Sequence, residues 1–240
     1  MVESNIIIGV PGKWESRTEL IQQIALQSEG YLMAGKLISH IEKQVMFEVE
    51  VYEHDPNLSR AFSIAGRGNL PPYLLEEIDQ HTCTVYLIAK SNGVESTKDL
   101  LDVTAGLLRA GGIAVKIEAP GLAYTKEEWY ELTRTKEDAA IYLHFVNFIG
   151  DSEHIYSIGM HAFGLPDVMV PAHLQLEEFT NLLHNFNLYQ ILEKPTFHHG
   201  ETFSLDPDEP VYQLEKLQDF RYDSGDVCFN PSGIWNLVPS

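Results

Sequence analysis

Hydrophobic positions change period several times along the chain, and each change marks an element. Residues 5–10 place three isoleucines in a row, stopped by Gly9 and Pro11, which predicts a buried strand. Ser16 or Thr18 then caps a helix to about residue 28, with Leu20, Ile21, Ile24 and Ala25 on one face and Gly30 at its end. Residues 45–52 alternate: Val45, Phe47, Val49 and Val51 share one face, Glu48 and Glu50 the other, as in a half-exposed strand. Asp55 or Asn57 caps a short helix carrying Leu58, Ala61, Phe62 and Ala65. Gly66-Arg67-Gly68 breaks it, and Pro71-Pro72 opens another helix to about residue 80.

Residues 82–89 read as a buried strand. Ser96 can start the next helix, with Leu100, Leu101, Val103, Thr104, Leu107 and Leu108 inward, and Gly111-Gly112 ends it before a strand at 113–117. A right-handed crossover sets the two strands of such a β-α-β unit parallel. Thr125 and Glu128 have the spacing of a capping box. Residues 139–149 and 154–160 read as paired strands joined through 150–153. Pro166 and Pro171 bracket a short extended piece. The longest helix is expected over 174–192, striped by Leu176, Phe179, Leu182, Leu183, Phe186 and Ile191. Short strand-like pieces follow at 201–205, 211–217, 227–229 and 234–238. The class implied is α+β: a mixed sheet with packed helices and a β-rich C-terminal extension. A charged break at 136–138 separates an α/β N-terminal subdomain, 1–135, from an α+β C-terminal subdomain, 136–240, the two forming one integrated unit.

Composition narrows the function classes. Of 240 residues, 44% are hydrophobic, enough for a real core. Sixteen basic residues face 35 acidic ones, a net charge of −19. Residues 121–240 hold 6 basic and 19 acidic, so −13 of it lies there. Such a field repels phosphate backbones and anionic lipid, so neither nucleic acid nor a membrane is an expected partner, and it attracts a basic protein partner. No stretch approaches the roughly 20 apolar residues that span a bilayer. The start of the chain lacks a basic region followed by a long apolar run, so a cytoplasmic protein is expected. Cys83 and Cys228 have no CxxC neighbour and signal neither a zinc site nor a redox pair.

Candidate chemistry is sparse. Gly9-Val-Pro-Gly12-Lys13 follows a strand but lacks the spacing of a phosphate loop, since Ile7 stands five before Gly12 and Trp14 follows Lys13. Arg67 between two glycines is a candidate anion-binding residue, with a structural turn as the simpler reading. Glu53-His54-Asp55 suits a base or a metal site, yet a capping role suffices. His198 and His199 point to opposite faces of an extended chain and do not share a metal. Tyr156-Ser157-Ile158-Gly159 lacks the first glycine of a nucleophile elbow. Accordingly no catalytic residue, no metal and no cofactor is expected. The sharper signal is aromatic. Phe197, Phe203, Tyr212, Phe220, Tyr222, Phe229 and Trp235 alternate with acids near the C-terminus. Either small strands bury these rings, or Phe203, Tyr212, Phe220 and Tyr222 with Asp206, Asp208 and Glu209 form a partner-binding face.

The segments Leu107-Leu-Arg-Ala-Gly-Gly-Ile-Ala-Val-Lys-Ile-Glu118, Tyr124-Thr-Lys-Glu-Glu-Trp129 and Tyr156-Ser-Ile-Gly-Met-His-Ala-Phe-Gly-Leu-Pro-Asp167 together resemble a bacterial family of unknown function. The resemblance spans roughly residues 83–193 and rests on glycines, prolines and apolar positions. Its members are grouped with immunity proteins of bacterial polymorphic toxin systems. It implies an interaction protein and transfers no catalytic residue. The leading expectation is a non-enzymatic acidic binding protein for a basic protein partner; the resemblance implies an inhibitor of immunity type. The alternatives are an enzyme whose His54, Asp55, His161 and Glu201 converge in space, and a structural oligomer subunit.

Overall fold

A computed structural model describes residues 5–172 and 176–240. They divide into two compact units. The N-terminal one comprises residues 5–90 and 95–137, and the C-terminal one residues 91–94 and 138–240.

The N-terminal unit is a seven-stranded sheet: β1 (Asn5–Gly12), β2 (Tyr31–Ala34), β3 (Leu37–His40), β4 (Met46–Glu53), β5 (Cys83–Lys90), β6 (Val115–Ile117) and β7 (Leu122–Tyr124), in the order β2-β3-β4-β5-β1-β6-β7. Every neighbouring pair is antiparallel. One face buries Ile6, Ile8, Val10, Phe47, Val49, Val85 and Leu87 with Leu20 and Ile24 of α1 (Arg17–Gln27) and Leu100 and Leu101 of α4 (Val94–Arg109). Ser16 caps α1 by accepting from the Glu19 amide. Helices α2 (Leu58–Ala65) and α3 (Pro72–Asp79) pack Leu58, Phe62, Leu74 and Ile78 on Ile113, Ala114 and Ala123. The expected capping box at Thr125 and Glu128 is present at the start of α5 (Lys126–Thr135), whose Trp129 indole donates to the Leu101 carbonyl of α4 at 3.3 Å.

In this unit one expectation holds with an inserted strand, and one element was not anticipated. The strands flanking α4, β5 and β6, do run the same way, but β1 lies between them, antiparallel to both. The crossover skips one position, and β1, apolar from Ile6 on, fills it. The β2–β3 hairpin was not expected. Its two-residue turn, Gly35-Lys36, uses a positive φ of 57° at Gly35. The alternation is spoiled because Leu32 and Leu37 are exposed.

The C-terminal unit is a six-stranded mixed sheet: β8 (Asn147–Gly150), β9 (His154–Ile158), β10 (Asp167–Pro171), β11 (Thr202–Phe203), β12 (Tyr212–Leu217) and β13 (Ile234–Pro239), in the order β11-β12-β13-β10-β9-β8. Only β10 and β13 pair in parallel. Val168, Val170, Leu214, Trp235 and Leu237 form one core with Phe179, Leu182, Leu183 and Phe186 of α7 (Leu176–Leu192). On the other side, Tyr156, Ile158, Met169 and Ile234 meet Leu217, Tyr222 and Cys228. The expected start of α7 at residue 174 lies outside the described residues.

Residues 139–145, expected as strand, form helix α6 (Asp138–Phe145). The run Ala-Ala-Ile-Tyr-Leu-His-Phe has no two-residue alternation, and its buried Ile141, Tyr142 and Phe145 fall at helical spacing. Only β8 then pairs with β9, as the hairpin expectation required. Residues 227–229 are a turn, because the Asp226 carboxylate accepts from the Cys228 amide at 2.8 Å and bends the chain. Among the described residues no helix is long and apolar enough to cross a membrane.

Candidate functional site

The C-terminal unit buries an ion network around Arg221, whose side chain is 6% exposed beside the fully buried side chains of Asp167 and Asp219. Its guanidinium donates to both oxygens of Asp219 at 3.0 Å, to Asp167 Oδ2 at 2.9 Å and to the Ser157 carbonyl at 2.8 Å. Asp167 also accepts from the Ser157 hydroxyl, the Met160 amide and the Asn230 side chain. Asp219 accepts from the amides of Arg221 and Asn230. Burial alone would lower the guanidinium pKa, but the Asp219 hydrogen bonds and the two carboxylate charges raise it, so the cation is locked. The ring of Tyr156 lies 4.7 Å and that of Tyr222 5.6 Å from the guanidinium carbon. The carboxylates' hydrogen-bonding capacity is spent internally, so this network pins residues 219–230 onto β9 and β10.

A groove of about 610 Å³ opens elsewhere on the same unit, between α7 and β11. Leu188, Tyr189 and Leu192 form one wall; Phe197, Phe203 and Leu205 form the other. Two rings of the second wall are set by the buried Phe186. Phe197 stacks on it at 5.1 Å with an 11° interplanar angle, and Phe203 meets it edge-on at 4.9 Å. Tyr189 stands 6.0 Å from each. These packed rings form an apolar surface that is preorganised rather than collapsible.

The groove has an acidic surround. Glu193 lines it. Directly after Leu205 comes a turn that presents Asp206, Asp208 and Glu209, all exposed. The Ser204 hydroxyl fixes that turn by donating to the Asp206 carbonyl at 2.6 Å and the Glu209 carbonyl at 3.2 Å. Residues 91–94 and 138–240 hold 3 basic and 15 acidic residues, a net of −12. Of the three cations, Arg221 is locked inside and Lys216 donates to the Ser232 carbonyl at 2.6 Å while lying 4.7 Å above the Trp235 ring.

The residues singled out in the sequence separate. Phe203 lines the groove, and Asp206, Asp208 and Glu209 follow it. Tyr212 is buried in the core under α7. Tyr222 is half-buried over Arg221, and Phe220, beside it, is 63% exposed. Arg67 follows the C-terminal end of α2 with φ 51°, where carbonyls favour a cation but no helix amides are offered to an anion. His54 and Asp55 belong to the N-terminal unit. The His54 ring donates to the His81 carbonyl at 2.8 Å, and Asp55 accepts from the Asn57 amide at 2.9 Å. Glu201 accepts from the backbone and ring of His198, which lowers its pKa. His161 is buried, with Asp167, Arg221 and Asp219 as its charged neighbours and no hydrogen-bond partner at Nδ1. The structure thus does not bring Glu201 to His161. Among the described residues no three His, Cys, Asp or Glu side chains are grouped to hold a metal ion.

Sequence reasoning missed the helix side of the groove and the ion network. Asn185, Leu188, Tyr189 and Leu192 recur at i, i+3, i+4 and i+7, a second stripe beside the core-facing one, and that pattern could have exposed the wall. Arg221 had a weaker signal: it is one of only three cations after residue 136.

Fold and groove together define a two-unit α+β chain whose C-terminal unit carries an aromatic surface edged with carboxylates. Residues 156–227 of that unit match the model of a domain of unknown function (DUF4261). The match takes in the Tyr156–Asp167 segment noted in the sequence and runs on to residue 227, past the expected limit of 193. The segments around Leu107–Glu118 and Tyr124–Trp129 lie outside it. The ion network, apart from Asn230, and both walls of the groove fall inside it. No curated protein and no solved structure matches the chain.

Proposed function

We propose that the chain is a non-enzymatic acidic binding protein that seats a basic segment of a protein partner in the groove between α7 and β11, as an inhibitor of immunity type would. The observation that carries this reading is the juxtaposition of preset apolar rings, Phe197 and Phe203, with the exposed turn Asp206–Glu209 on a unit of net charge −12. An aliphatic or aromatic side chain of the partner fills the groove and governs dissociation. The carboxylates steer a cationic surface and govern encounter.

The test is a titration with short fluorescent peptides of matched length: cationic with one Leu or Trp, cationic without an apolar residue, and acidic with the same Leu or Trp. The first class is expected to bind most tightly. Phe203→Ala should weaken it chiefly through faster dissociation. Neutralising Asp206, Asp208 and Glu209 together should slow association and flatten the salt dependence. Equal binding of acidic and cationic peptides, or binding that Phe203→Ala leaves untouched, overturns the reading.

A further inference from the structure

The face of the N-terminal sheet opposite α1 and α4 breaks the pattern of a solvated sheet. An antiparallel sheet with one wet face normally places polar residues there. Register puts Leu32 beside Ser39 and Met46 in one row, and Ala34, Leu37, Glu48 and Ile88 in the next. Leu32, Leu37, Met46 and Tyr52 are each between 44% and 65% exposed. They sit at the β2–β4 end of the sheet, where Tyr52 also meets Tyr86 edge-on at 5.5 Å.

Charge on this face is unlike that of the rest of the chain. At the β2–β4 end and the adjoining β5, Lys36 and Lys90 are matched by Glu48 and Glu50, so this patch is charge-balanced on a chain of net −19, whereas Asp55 and Glu118 bring negative charge to Tyr86 further along the face. Lys36 pairs with Glu50 at 3.1 Å, and Lys116 pairs with Glu118. A basic partner gains nothing here, and nor does an acidic one. Two copies of the chain repel each other through strongly negative surfaces, but not through this one. Exposed apolar residues on a charge-balanced patch fit an isologous contact, in which the same patch serves both partners.

We infer that this face is a homodimer interface, centred on Leu32, Leu37 and Met46 and closed by a second copy of the chain. Mutual screening of the remaining negative charge makes the dimer tighter as salt rises, the opposite of the salt response proposed for the groove. The inference is independent of that groove.

Sedimentation equilibrium of the full chain over a range of protein and salt concentrations tests it. The expected species has twice the 27.1 kDa chain mass, and its population rises with salt. Leu37→Lys places a charge in the contact while gaining Glu48 as a cross-strand partner in the monomer, and should weaken dimerisation by at least about tenfold. Leu32→Lys is the second variant on the same face, and circular dichroism checks that each is folded. Leu26→Lys makes the same chemical change on exposed α1 and should leave the dimer intact. A wild-type monomer at every concentration overturns the inference. So does a dimer that survives both face variants, or one that all three lysine variants dissolve equally.

Discussion

Replacing Arg221 with Met keeps most of the side-chain volume and removes the charge that holds two buried carboxylates together. In the native structure the guanidinium makes four hydrogen bonds, three of them to Asp167 and Asp219, whose side chains are fully buried. The variant leaves those carboxylates facing each other with only neutral donors: the Ser157 hydroxyl, the Asn230 amide groups, and the Met160 and residue-221 backbone amides. Breaking a buried ion pair by removing one partner costs about 3–5 kcal/mol, mostly because the remaining charge is stranded. With two carboxylates stranded, the upper part of that range is expected. Urea unfolding, followed by far-UV circular dichroism and by Trp235 fluorescence in a background lacking Trp14 and Trp129, measures the loss in the C-terminal unit; the second probe is needed because two units need not unfold together. Adding Asp167→Asn to Arg221→Met should recover part of the stability. A loss below about 1 kcal/mol, the range of an exposed ion pair, would refute the view that this network is dry and structurally decisive.

The other two predictions concern protons and backbone. Burial lowers the pKa of His81 and His161 and of the half-buried His184. Below the unfolded value of about 6.5 the unfolded chain therefore binds protons that the folded chain refuses, and stability falls with pH from there through the lowered folded values. Each fully refusing ring contributes at most about 1.4 kcal/mol per pH unit. At His81 the reason is visible: Nδ1 donates to the Ile78 carbonyl at 2.7 Å while Nε2 accepts from the Asp55 amide at 3.1 Å, so a second proton would evict that amide. Melting temperatures unchanged between about pH 7 and pH 5 would contradict this. Gly159 carries φ 118°, and a Cβ there would stand 2.0 Å from the Phe145 carbonyl oxygen. Gly159→Ala should cost more than about 3 kcal/mol in urea unfolding, and a neutral outcome would mean the β9 end is not held where it is seen.

Local rules carried much of the fold. Three isoleucines announced β1, the Val45–Val51 alternation announced β4, and Thr125 with Glu128 announced the start of α5 correctly, because each signal acts within a few residues. The strong acidity and its C-terminal bias were likewise legible, since charge needs no folding to be counted. Tertiary structure decided the rest. Residues 139–145, expected to continue a strand into 146–149, became helix, because a run apolar on all sides takes its period from what it packs against. β1 inserted itself between β5 and β6, a choice set by which strands can bury both neighbours' edges. It also sorted the aromatics that looked alike in one dimension, sending Tyr212 into the core, Tyr222 over a buried arginine and Phe203 into an open groove. A residue's neighbours in space are supplied by other elements, and so no reading of its own segment could have told a packing ring from a binding one.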